Sequence, residues 1–149
     1  MWQVKPFSAL TVTELHQILQ LRTAVFVVDQ KRIYQEVDDL DKTAWHLFAT
    51  VDGQVVAYAR IFELTPGGTV SFGRVVTNPR VRGQGFGGQL LDQIMTTIAH
   101  QYPGQPIEIE AQVQVQSFYQ RAGFKSQGAP FVYQSTPHIK MVHAPLPAE

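Results

Sequence analysis

Residues 75–88 constrain this chain more than any other stretch. They read Val75-Val76-Thr77-Asn78-Pro79-Arg80-Val81-Arg82-Gly83-Gln84-Gly85-Phe86-Gly87-Gly88. A β-rich run ends at a proline, a basic and glycine-dense turn follows, and an amphipathic helix then begins. Each glycine in a helix's first turn costs about 1 kcal/mol against alanine, so this density at a strand–helix junction implies a use that offsets the cost. Backbone N–H groups gathered at a helix N-terminus, with no side chains in front of them, suit a phosphate or pyrophosphate.

The rest of the chain sets the turn in context. Residues 2–7 read as a short strand. Thr11-Val12-Thr13-Glu14 fits a capping box that opens a helix. Leu15, Ile18, Leu19 and Phe26 then share one face, and Arg22 falls on that face too, either with its stem packed or as a site residue. Residues 27–44 carry the least periodic pattern. Their acids, Asp29, Glu36, Asp38, Asp39 and Asp41, suit a solvated loop or one wall of a substrate site.

Trp45 to Val51 and Gln54 to Leu64 alternate as strands around Asp52-Gly53, a two-residue hairpin signal. Pro66-Gly67-Gly68 turns the chain into a third strand, Thr69 to Thr77. The helix after the glycine turn keeps Phe86, Leu90, Leu91, Ile94 and Ile98 on one side and stops at Tyr102-Pro103-Gly104. Ile107 to Ala111 reads as a strand parallel to the one before the helix, because strand–helix–strand crossovers join parallel neighbours. A short helix through Phe118 and Tyr119 ends at Gly123. Strands near 129–134 and 138–143 follow, and the proline-rich residues 144–149 are expected to fray. Residues 1–149 thus read as a single domain of mixed α/β class.

Which phosphate-bearing ligand fits the turn depends on its neighbours. A Walker loop needs G-K-[ST] after its glycines, and Gly87-Gly88-Gln89 offers neither lysine nor hydroxyl. Gly83-Gln84-Gly85-Phe86-Gly87-Gly88 matches the dinucleotide pattern G-x-G-x-x-G literally, with Glu108 about 20 residues further on. Yet Asn78 to Arg82 separate strand from glycines, the motif follows an antiparallel meander, and only about 60 residues remain after it, too few for the usual six-stranded sheet. An NAD-binding oxidoreductase is therefore the weaker alternative.

The remaining candidate is acyl-coenzyme A. Arg82-Gly83-Gln84-Gly85-Phe86-Gly87 resembles the R-x-x-G-x-G signature of the Gcn5-related N-acetyltransferases, the GNAT family. Val75 to Pro79 resembles that family's approach to the turn, and Phe118-Tyr119-Gln120-Arg121-Ala122-Gly123-Phe124 its F/L-Y-x-x-x-G-F segment. Within the family the chain looks most like the ElaA group. Residues 22–30, Ala111-Gln112 and Pro137-His138-Ile139 resemble that group's recurrent segments.

The resemblance implies a mostly antiparallel central sheet with one splayed parallel strand pair, and N-acetyl transfer from acetyl-CoA to a primary amine. It assigns the coenzyme A pyrophosphate to N–H groups of Arg82, Gly83, Gln84, Gly85, Phe86, Gly87 and Gly88. Val75, Val76 and Thr77 align with the strand that pairs with pantetheine, with the Val76 N–H on the thioester carbonyl. Tyr119 matches the family's general acid. Gln112 stands where the family commonly has an asparagine that holds pantetheine. The family's base varies, and Glu110, Glu63, His46 and His138 are the candidates, with Glu110 and His138 ahead.

Composition narrows the class further. Lys+Arg and Asp+Glu are equal at 12 each, which argues against a nucleic-acid or anionic-membrane binder. There are 0 cysteines, so disulfides, thiolate metal sites and a cysteine acyl carrier are excluded and direct attack of the amine is expected. No His/Asp/Glu cluster has metal-ligand spacing. The first residues lack a signal peptide's features, and no apolar run approaches the roughly 18 residues of a membrane span. A cytoplasmic protein is expected, monomer or homodimer, acting on a small-molecule or peptide amine. The acids from Glu36 to Asp41 hint at a cationic amine through steering. A noncatalytic acyl-CoA sensor and a donor longer than acetyl remain as alternatives.

Overall fold

In the computed structural model, which describes residues 1–148, the chain opens with β1 (Trp2–Pro6) and turns into α1 (Val12–Arg22). The capping box forms as expected: the Thr11 hydroxyl accepts from the Glu14 N–H, and the Glu14 carboxylate accepts from the Thr11 N–H. Three antiparallel strands follow, β2 (Trp45–Val51), β3 (Gln54–Glu63) and β4 (Val70–Thr77). Asp52 and Gly53 take φ of 51° and 75°, so both central residues of the first hairpin have the positive φ that a type I′ turn requires.

The chain then runs through α2 (Phe86–Gln101), β5 (Ile107–Gln112), α3 (Gln116–Gln120), β6 (Lys125–Tyr133) and β7 (Thr136–His143). One sheet holds all seven strands in the order β1-β2-β3-β4-β5-β7-β6, with β4 and β5 its parallel pair. Phe86, Leu90, Leu91, Ile94 and Ile98 of α2 are buried on one face with Leu47, Ala59, Ile61 and Ile109. On the other face Ile18, Leu21, Val25 and Phe26 pack on Phe48, Tyr58 and Val76.

Three local features depart from the expected pattern. Helical periodicity carries Phe26 along with α1, but the α-helix ends at Arg22 and Thr23–Asp29 continues as a π-helix, closed by a bond from the Gln30 N–H to the Val25 carbonyl. The strand expected from 129 begins at Lys125. All nine of its residues are exposed, and a register shift with Gly128 at φ 74° interrupts it before Pro130, so neither alternation nor continuity announces it. At the C-terminal end the Leu146 carbonyl accepts from the Gly104 N–H at 2.9 Å and its side chain packs on the core. Residue 149 lies outside the described residues. Among them, no helix is long and apolar enough to cross a membrane.

Candidate functional site

Strands β4 and β5 share one register pair, Val70 with Ile107. There the Val70 N–H donates to the Pro106 carbonyl at 2.9 Å. A β-bulge drives the two strands apart beyond that point. Tyr58 faces Val76 while Arg60 faces Gly73, so β4 carries one extra residue, and Arg74 sits there at φ 51°. Such a bulge bends its strand and sharpens the twist. The wedge that opens is the wall of a cleft of about 530 Å³, lined by residues 71–77 on one side and 108–112 on the other.

Alternation along β4 decides which N–H groups face the wedge. The Asn78 N–H donates to the Val56 carbonyl at 2.7 Å, so it points at β3. The Val76 N–H, two residues away, points the same way, toward its register partner Tyr58. The Thr77 N–H therefore faces the open edge, whereas Val75 lies in the bulge, where the alternation breaks. The Val76 N–H, expected on the thioester carbonyl, thus points at β3 instead of the wedge, because the resemblance locates the strand but not its hydrogen-bonding parity.

The glycine turn lies past the C-terminal end of β4. Asn78 caps a short 3-10 turn, Pro79–Val81, its side chain accepting from the Arg80 N–H. Gly83 and Gly85 take φ of 83° and 82°, a region other residues rarely adopt, and Gly85 is the N-cap of α2. Phe86, Gly87 and Gly88 are the first three helical residues, whose N–H groups have no acceptor within the helix. A Cβ at Gly83, Gly87 or Gly88 would meet nothing within 4 Å. The turn is thus an open cradle of donors at the positive end of a helix dipole, which fits a pyrophosphate. Two of the expected donors are spent inside the turn: the Arg82 N–H bonds the Pro79 carbonyl and the Gln84 N–H bonds the Val81 carbonyl. The Arg82 side chain is exposed and lines the cleft.

Tyr119, Glu110, His138 and Gln112 also line the cleft. Tyr119 comes from α3 and is buried in an aromatic cluster with Phe72, Phe118 and Phe124 at centroid distances of 5.2 to 5.9 Å. Burial raises its pKa above the ordinary phenol value. Glu110 is exposed on β5. His138 lies opposite Gln112 across β5 and β7, and its Nδ1 bonds the Thr136 carbonyl at 2.8 Å. A carbonyl can only accept, so Nδ1 donates in this bond. The Gln112 amide donates to Gln30 Oε1 at 3.3 Å and accepts from Gln114.

The other two base candidates sit elsewhere. Glu63 accepts from the Gly67 N–H and from Gln105, closing the turn before β4. His46 is fully buried, with its ring nitrogens 2.7 Å from the Tyr58 hydroxyl and the Asp41 carbonyl. Burial depresses its pKa and keeps it neutral.

Arg22, Arg60 and Arg74 form a largely buried ion network with Glu36, Asp38 and Asp41 beside the cleft. Arg22 is 0% exposed, so it neither snorkels nor reaches the site. It donates from Nε to Glu36 at 2.7 Å and from Nη1 to Asp41 at 2.8 Å. Arg60 bonds Asp38 at 2.6 Å and Asp41 at 3.0 Å, and Arg74 bonds Glu36 at 2.9 Å. Burial works against the charges of Arg22 and Arg60, but their carboxylate bonds outweigh it and raise both pKa values. Burial likewise raises the Asp38 carboxyl, and the Arg60 guanidinium outweighs that and holds it low. Three acids meet three arginines, so the expected steering of a cationic amine has no net charge behind it. Asp39 is exposed and pairs only with Lys42.

A family model for the acetyltransferase (GNAT) domain matches residues 11–144. The chain belongs to the GNAT family. It is 37% identical to the ElaA protein of Escherichia coli, over 99% of this chain and 98% of that one. The crystal structure of E. coli ElaA superposes with a TM-score of 0.90 at 36% identity, covering 96% and 98%. An acyl-CoA N-acyltransferase structure from Pseudomonas aeruginosa gives a TM-score of 0.91 at 40% identity, covering 97% and 99%. The GNAT fold with its parallel β4–β5 pair is therefore established here, and this fold, which binds acyl-CoA, supports an acyltransferase. The NAD reading is not favoured.

Sequence reading passed over Arg32, Tyr34, Arg60, Arg74 and Tyr133, all of which line the cleft. A signal was present for two of them. Arg60 and Arg74 interrupt otherwise apolar strands, and a charge buried in a sheet must meet carboxylates from somewhere. The acids at 36–41 were the available supply.

Proposed function

We propose that this chain transfers an acetyl group from acetyl-CoA to a primary amine by direct attack within a ternary complex. The observation that carries this reading is an open donor cradle at Gly83–Gly88, next in the chain to the cleft-lining Arg82, together with a buried tyrosine on the wall of the same cleft. N–H groups of Gly83 and residues 85–88, with the Arg82 guanidinium, hold the pyrophosphate. The open edge of β4 at Thr77 pairs with pantetheine and offers an N–H to the thioester carbonyl, where charge develops. Gln112 presents its amide from the facing strand.

The amine attacks the carbonyl carbon, the carbon–sulfur bond breaks, and the departing thiolate takes the Tyr119 proton. The proton lost by the amine goes to Glu110 or His138, the two base candidates that line the cleft. With 0 cysteines, no acyl-cysteine thioester intermediate on the protein is available. The enzyme works in the cytoplasm as a monomer or homodimer on a small-molecule or peptide amine, without metal, nucleic acid or membrane.

Gly87→Val tests the cradle. Valine and glycine differ little in helix propensity, so the melting temperature should stay close to that of the unmodified protein. The new side chain enters the open space over the helix N-terminus. Calorimetry should show acetyl-CoA affinity reduced by about tenfold or more, equivalent to about 1.4 kcal/mol. Unchanged affinity in a folded variant would place the ligand elsewhere.

A further inference from the structure

We infer that the acceptor amine carries a carboxylate, as a small amino acid does, and that Arg32 holds that carboxylate. The inference rests on the acyl-transfer reading above and assigns the acceptor half of the same cleft. Its basis is the charge balance of the lining. Asp38, Arg60 and Arg74 are neutralised within the ion network, and Glu108 pairs with Lys140 at 3.1 Å. Arg82 stands at the glycine turn. Two formal charges remain on the lining, Arg32 and Glu110.

Arg32 is 6% exposed, and no carboxylate among the described residues pairs with it. Its Nε donates to the Gln134 carbonyl at 2.9 Å, Nη2 to the Tyr133 carbonyl at 3.5 Å, and Nη1 to Gln30 Oε1 at 3.4 Å. All three acceptors are neutral. The Tyr34 ring lies 4.8 Å from the guanidinium carbon. A buried cation without an anion is costly, and Gln30, Tyr34 and Tyr133, which surround Arg32, line the cleft with it. A guanidinium has five N–H donors and a planar fork that matches a carboxylate. Two of the five are left over here.

Glu110 on β5 is the complementary charge. An amino acid offers an ammonium to Glu110 and a carboxylate to Arg32, which leaves both charges balanced. A polyamine would place a second cation against Arg32, and a neutral amine would leave Arg32 without a partner.

The test uses matched products, which lack the ammonium and so isolate the Arg32 contact. N-acetyl amino acids and their amides are titrated by calorimetry into the protein, with and without saturating CoA. In at least one pair the carboxylate should bind about tenfold or more tighter than the amide. Arg32→Gln should erase that preference and leave acetyl-CoA affinity as it was, whereas Arg32→Lys should keep part of it. If Arg32 only pins the β6–β7 turn, both variants will melt lower and the preference will persist. That persistence, or no pair favouring the carboxylate, overturns the inference. Loss of acetyl-CoA binding in the unmodified protein would instead sink the donor assignment, and the CoA-free titrations would still report on Arg32.

Discussion

Asp41→Ala will destabilise this protein by about 3–5 kcal/mol, the usual cost of removing one partner from a buried ion pair. Asp41 is 4% exposed, and its Oδ1 accepts from both Arg22 and Arg60. Its removal leaves two buried guanidinium groups short of a carboxylate. For a chain of this length the drop in melting temperature should be roughly 10 °C. Leu40→Ala is a useful comparison, since Leu40 is only half-buried and should cost less. The damage should also reach the site, because the same network anchors Arg74 at the β4 bulge that opens the wedge. Thermal denaturation followed by circular dichroism reads the first effect. A loss under about 1 kcal/mol would mean that the network is solvated and contributes as surface pairs do.

The second large effect is kinetic. Tyr119→Phe keeps the ring in its aromatic cluster and removes only the hydroxyl. Stability should change little, and acetyl-CoA affinity likewise. Turnover should fall about 100-fold or more, the common value of a positioned general acid. Because burial raises the Tyr119 pKa, the phenol keeps its proton throughout the neutral range. The pH–rate profile of the unmodified enzyme should therefore show no alkaline limb from Tyr119 below about pH 10. A phenylalanine variant with full turnover at saturating substrates would remove Tyr119 from the chemistry. A pure acyl-CoA sensor would show no turnover in either form.

Much of this architecture was legible in the residues, and the reasons differ by element. The Asp52-Gly53 hairpin, the Thr11 capping box and the α2 stripe each rest on a local rule that tertiary contacts reinforce. The glycine turn was legible because Gly87 and Gly88, inside a helix's first turn, have no local justification, whereas Gly83 and Gly85 answer to their positive φ. What escaped depends on contacts between distant segments. Glu36 and Asp41 look like surface acids until Arg22, Arg60 and Arg74 are brought beside them. The parity of β4, which turns the Val76 N–H toward β3 and opens that of Thr77, follows from the Asn78–Val56 bond and from no composition rule. Strand β6 hid because an exposed edge strand needs no apolar alternation. Arg32 hid because its meaning lies in the lack of an acidic neighbour, which only the folded chain defines.

Calorimetric titration of the unmodified protein with acetyl-CoA, run beside NAD, tests the donor site most directly. Saturable binding of acetyl-CoA with one site per chain, and no heat from NAD, is the expected result. Silence toward acetyl-CoA, or saturable binding of NAD, would contradict it and would separate the glycine cradle from acetyl transfer.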